Sequence, residues 1–113
     1  MRDVKIDEDY LLEIAGEETG MVISIVKDFK LDAERLLAKL MALVREDVDL
    51  AGVAALLHKW KGSAGSLGMI SLNEAIVSME DWGKLEWSSY AAWDELQGHL
   101  AGSVDAALIV LEG

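Results

Sequence analysis

The chain contains no cysteine and no proline. Without thiols it forms no disulfide, offers no thiolate to a metal and runs no thiol chemistry, so cysteine usage says nothing about redox compartment. The lack of proline removes the strongest helix breaker from all 113 residues. Aromatic residues are few, at 6%, and basic ones are scarce, with 10 Lys and Arg against 21 Asp and Glu for a formal net charge of -11. Such a chain repels phosphate backbones and anionic bilayers, so neither nucleic acid nor a membrane is an expected partner. No apolar run approaches the roughly 20 residues that cross a bilayer. The opening stretch from Met1 to Asp7 is studded with charge where a secretory leader needs an apolar segment, and the expected location is the cytoplasm. What is present is an ordinary globular mixture, 52% hydrophobic and 27% charged. It suits one domain over residues 1–113, with no repeat, linker or low-complexity tract to divide it.

Apolar residues recur at threes and fours along the whole chain, which predicts an all-α fold. A short helix starts after Asp7 or Asp9 and ends at Gly16. A long one follows Thr19, with Val22, Ile25, Val26, Phe29, Ala33, Leu36, Leu37, Leu40 and Val44 on its apolar stripe and Lys27, Lys30, Glu34 and Lys39 mostly off it. Asp47 or Asp49 is placed to cap a third helix with the stripe Leu50, Val53, Leu57, Trp60, Ala64 and Leu67, ending near Gly68. Ser71-Leu72-Asn73-Glu74 has the spacing of a capping box and opens a fourth, carrying Leu72, Ala75, Ile76 and Met79 and weakening at Gly83. Ser88 or Ser89 caps a fifth, in which Trp93, Leu96, Leu100, Val104, Ala107, Leu108 and Leu111 mark the buried side. Four substantial amphipathic helices with short links predict an antiparallel four-helix bundle, with the short N-terminal helix as an extra.

The third helix goes against local preference, because Gly62, Gly65 and Gly68 each cost about 1 kcal/mol relative to alanine inside a helix. With His58 at zero on a wheel of about 100° per residue, its near neighbours are Ala51, Ala54, Ala55, Lys61, Gly62 and Gly65. All but the lysine are small. Val53, Leu56, Trp60 and Leu67 fall on the far side, where a core must be, so His58 is expected to project into water. Small residues above and below leave the imidazole clear for the surface of another protein, and Lys61 stands beside it to neutralise a negative group on the ring. From Leu50 to Asn73 there is no Asp or Glu, although 21 acids in 113 residues would put four or five there. The expectation is a histidine from which carboxylates have been cleared because it sometimes bears a phosphoryl group of charge near -2.

The string His58-Lys59-Trp60-Lys61-Gly62-Ser63-Ala64-Gly65-Ser66-Leu67-Gly68 resembles the H-x-x-K-G-[SA]-[SA]-x-x-[LIV]-G signature of histidine-containing phosphotransfer (HPt) domains, with every fixed position filled. A looser likeness runs from Phe29 through Asp49 and Leu50 to Met79-Glu80, which is similar to the family's apolar-Glu step. Leu57 departs from the alanine many members carry before the histidine, and Trp82-Gly83 departs from their small residues. The resemblance implies a monomeric phosphorelay intermediate that moves a phosphoryl group between the aspartates of receiver domains, in response regulators and hybrid histidine kinases. It implies no ATP site and no cofactor, with magnesium belonging to the receiver. His58 would be the phosphoacceptor through Nε2, Lys61 would screen the phosphoryl charge and Gly62 would keep the approach open. Ala51, Ala54, Ala55, Lys59 and Gly65 would form the docking surface.

Other readings fit less well. Gly62 to Gly68 lacks the glycine spacing, the preceding strand and the Lys-Ser/Thr pair of a phosphate-binding loop. A di-metal bundle needs Glu three residues before histidine, where Ala55 and Leu96 stand, so no metal is expected. His99 is expected to be a surface residue, and Trp60, Trp82, Trp87 and Trp93 to be packing at the core and rim. The alternative from another class is a helical docking or dimerisation module, related to histidine-kinase bundles, that accepts no phosphate.

Overall fold

The computed structural model describes residues 4–46, 50–80 and 90–113, and over these the chain is helical, with five α-helices and no strand. They are α1 (Glu8–Ala15), α2 (Thr19–Glu46), α3 (Leu50–Ser66), α4 (Ile70–Glu80) and α5 (Tyr90–Glu112). The 28 residues of α2 span about 42 Å at helical rise, close to the 46 Å long axis of the molecule. α3 packs chiefly on α4, and α2 chiefly on α5, which also receives α1 and α4. The expected caps Asp47, Asp49, Ser88 and Ser89, together with Trp82, Gly83 and Trp87, lie outside the described residues.

The predicted stripes supply the core. Val22, Val26, Ala33, Leu37, Leu40 and Val44 of α2 are buried with Val53, Leu57, Trp60 and Ala64 of α3, Leu72, Ile76 and Met79 of α4, and Trp93, Leu96, Leu100, Val104, Ala107 and Leu111 of α5. Each fully buried Leu, Ile or Val side chain contributes about 1.5–3 kcal/mol. Phe29, Leu36, Ala75 and Leu108 are half-buried at the edge of this core. Ile25 departs from its stripe and is exposed. Val22 and Val26 already fill the inward positions of that turn, and the step of about 100° per residue puts Ile25 outside.

The helix ends show which local signals act. Asp7 caps α1 by accepting the Tyr10 N–H at 3.0 Å on Oδ1, and Gly16 ends the helix with φ 53°. At the start of α2 the Glu18 carbonyl accepts from Met21 and Val22, so the cap falls one residue before Thr19. α3 closes with paired bonds, Gly68 N–H to Gly65 C=O at 3.1 Å and Met69 N–H to Ala64 C=O at 3.1 Å. This is the Schellman arrangement, and it needs a left-handed residue at its centre. Gly68 supplies it with φ 67°, so this glycine is a helix stop and not an interior residue.

The capping box at Ser71 does not form. α4 begins one residue earlier, at Ile70, with the Met69 carbonyl accepting the Asn73 N–H at 2.9 Å. Ser71 is buried and pairs instead with the segment before α1. Its hydroxyl accepts the Lys5 N–H at 2.6 Å, and its own N–H donates to the Lys5 carbonyl at 3.0 Å. Asp7 N–H donates to the Gly68 carbonyl at 2.8 Å, which ties the same segment to the α3–α4 turn. A Cβ on Gly68 would also approach Tyr10 Cδ2 to 3.1 Å. Gly68→Ala is therefore expected to destabilise the fold by about 1 kcal/mol or more, read from urea denaturation; an unchanged midpoint would contradict this account of the turn.

Candidate functional site

α3 and α4 form a hairpin about the Gly68-Met69 turn, and its register assembles the site. Residues equally far from Met69 face each other: Gly65 and Asn73 four residues away, His58 and Glu80 eleven away. Asn73 Nδ2 donates to the Lys61 carbonyl at 2.9 Å, and a Cβ on Gly65 would meet that same nitrogen at 3.3 Å. Gly65 is exposed, but its smallness also serves the closeness of the two helices. Ser66 Oγ donates back to the Gly62 carbonyl at 2.9 Å, and the Tyr10 hydroxyl donates to the Ser66 carbonyl at 3.2 Å, bringing α1 to the end of this face.

His58 stands outward on α3 with its side chain 71% exposed. Leu57 and Trp60 on either side of it in sequence are buried, which sets the rotation of the helix. Nothing lies within 4 Å of the position a Cβ would take on Gly62. Ala51, Ala55 and Lys59 are exposed, whereas Ala54 and Leu56 are half-buried and pack against the core, marking the two borders of the face. Two clefts are lined by other residues. One, with Lys5, Ser78, Glu95 and His99, lies between α4 and α5, and the other, with Tyr10, Ile70 and Asn73, lies beside the α3–α4 turn. His58 lines neither and sits on open surface.

The histidine is not free of carboxylates. The acid-free stretch in sequence is interrupted in space by Glu80, whose Oε1 lies 3.4 Å from His58 Nδ1 and 3.5 Å from Lys61 Nζ. Glu80 is 19% exposed and Lys61 30%. Oε1 itself is sealed from solvent and, among the described residues, has no hydrogen-bond partner of ordinary length beside these two longer contacts. Glu80 engages Nδ1, which favours the tautomer with the proton on that nitrogen and leaves the Nε2 lone pair on the exposed side. Lys61 reaches inward to the carboxylate and not outward past the ring.

His99 is not the surface residue expected from sequence. Its side chain is 19% exposed, its Nε2 lies 3.8 Å from Glu95 Oε1 and its Nδ1 is buried without a hydrogen bond. The half-buried Gly98 and Gly102 and buried Leu100 around it show that α5 is enclosed on more than its apolar stripe. Among the described residues no three His, Asp or Glu side chains converge as a metal ligand set, and no helix is long and apolar enough to cross a membrane.

An exposed imidazole whose Nδ1 faces a carboxylate has the chemistry to act as a nucleophile through its other nitrogen. Comparison with protein families matches residues 24–108 to the Hpt domain. The chain belongs to the Hpt domain family. The match takes in α3 and α4 entire, with most of α2 and α5. No curated protein and no solved structure gives a significant match. Hpt domains are histidine phosphotransfer carriers of two-component phosphorelays and not classical enzymes, and as a family they work with receiver domains.

Gly62 is a residue of this Hpt domain that its own fold does not require, since nothing would meet a Cβ there. With open space at its Cβ, Gly62→Ala is expected to stabilise the protein by up to about 1 kcal/mol, while Gly62→Leu leaves it folded. The leucine is expected to slow phosphoryl exchange with a receiver. Calorimetry and transfer assays check the pair, and undiminished transfer in the leucine variant would contradict a role in access.

Proposed function

We propose that this protein is a phosphorelay intermediate in which His58 accepts a phosphoryl group from the phosphoaspartate of one receiver domain and gives it to the aspartate of another. The receivers belong to hybrid histidine kinases and response regulators. The observation that carries the reading is the placement of His58: 71% exposed, Nδ1 turned to Glu80, within a complete family signature. In the transfer the Nε2 lone pair forms the bond to phosphorus. The bond from phosphorus to the aspartyl oxygen breaks, its electron pair returning to the receiver's carboxylate. Neutral imidazole is the nucleophilic form, and histidine commonly populates it near neutral pH.

Lys61 supplies a positive charge next to the ring that screens the arriving phosphoryl group, and it must leave Glu80 to reach that group directly. Gly62 keeps the approach open. Ala51, Ala54, Ala55, Lys59 and Gly65 form the docking surface, small enough to let another protein close on the ring. The whole chain, residues 1–113, serves as one domain: α2 to α5 as an antiparallel four-helix bundle, with α1 as the extra helix. It acts as a cytoplasmic monomer with no ATP site and no cofactor of its own, magnesium being held by the receiver.

Incubation with a phosphorylated receiver tests this. The expected label is acid-labile and alkali-stable after denaturation, sits on His58, and disappears in His58→Gln. Lys61→Ala is expected to lower the yield or lifetime of phosphohistidine several-fold. Failure of every cognate receiver to transfer would favour a docking module that takes no phosphate, and an unchanged Lys61→Ala would contradict the screening role.

A further inference from the structure

We propose that the cleft between α4 and α5 is a binding site for a free α-amino acid with an apolar side chain, separate from the His58 face. The cleft has a volume of about 440 Å³, within the range of small-molecule sites between the helices of a bundle. It follows α4 from Ser71 to Ser78 and α5 from Ala92 to His99, each a path of about 10 Å at helical rise. Its floor is apolar, where the buried Met79 and Leu96 meet the small Ala75 and Ala92. A short apolar side chain fits such a floor, and the phosphocarrier reading uses none of these residues.

The charges at the rim select the class of ligand. Lys5 and Glu74 line the same cleft with opposite charge, yet among the described residues neither takes part in an ion pair. Lys5 is fixed at the Ser71 end of the cleft, its N–H donating to the Ser71 hydroxyl at 2.6 Å and its carbonyl accepting from the Ser71 N–H at 3.0 Å. Glu74 stands about one turn further along α4. An ammonium and a carboxylate held in one cleft but outside ion-pair distance are bridged by a molecule that carries the complementary pair, its carboxylate on Lys5 and its ammonium on Glu74. Glu95 adds a second carboxylate on the α5 side. A simple anion would face both glutamates, and a simple amine would be repelled by Lys5. His99 completes the α5 wall with its side chain 19% exposed and its Nε2 3.8 Å from Glu95 Oε1. Its Nδ1 is buried without a hydrogen bond, so no polar contact within the described protein accounts for drawing the ring inward, and lining a ligand site does.

Titration of the full chain with L-leucine, followed by NMR of its methionine methyls and histidine rings, tests this. A ligand of that size is expected to bind with a Kd of about 1 mM. Saturable shifts are expected at Met79 and His99, with Met21 and His58 unmoved. Two relatives of leucine separate its charges: 3-methylbutylamine lacks the carboxylate and 4-methylpentanoate lacks the ammonium. Each is expected to bind about tenfold more weakly or worse. Lys5→Gln and Glu74→Gln alter exposed side chains, and each is expected to weaken leucine by a similar factor while the rest of the spectrum stays in place. Binding of the amine or the acid as tightly as leucine would overturn the proposal, as would unchanged leucine binding in both variants. Absence of any saturable shift at Met79 and His99, with leucine and with phenylalanine, would overturn it as well. None of these readouts involves phosphate, so their failure leaves the phosphocarrier reading standing, and a failure of that reading leaves them untouched.

Discussion

Leu57, Trp60 and Ala64 bury one side of α3, and with a step of about 100° per residue that burial leaves His58 only the outward direction. Turning the helix far enough to hide the imidazole would expose Leu57 and Trp60, at about 2 kcal/mol or more for each. No contact made by the histidine itself comes near that sum, since an exposed ion pair contributes about 1 kcal/mol or less. The rotation of α3 is therefore set by the core, and the chemistry takes what the core leaves outside.

A second constraint acts along the helix and not around it. The Schellman turn at Gly68, the Asn73 amide on the Lys61 carbonyl and the small Gly65 fix the register of α4 against α3. That register delivers Glu80 to Nδ1. The segment before α1, held on Ser71 and the Gly68 carbonyl, braces the turn from outside. Elements far from the imidazole thus decide which of its two nitrogens is available.

The stripes of α2, α3, α4 and α5 were legible because burial imposes its period directly on sequence, and His58 was placed outward by the same arithmetic. What depended on backbone partners was harder to read. Ser71 had the spacing of a cap, but its buried hydroxyl accepts from Lys5, in the segment before α1, instead. Gly68 was legible as the end of α3, and the left-handed turn gives the reason that a glycine stands there. The acid gap between Leu50 and Asn73 was real in sequence and misleading in space, because a hairpin brings distant residues together. Counting outward from Met69 would have found Glu80 opposite His58, had the turn been located first. His99 was misjudged because a single-helix wheel does not show α4 closing over that side of α5.

The account turns on which ring nitrogen is left for chemistry. The most direct measurement is an NMR correlation on histidine-labelled, phosphorylated protein that identifies the nitrogen bonded to phosphorus. Phosphorus on Nε2 of His58 is the predicted result, and phosphorus on Nδ1 would contradict it.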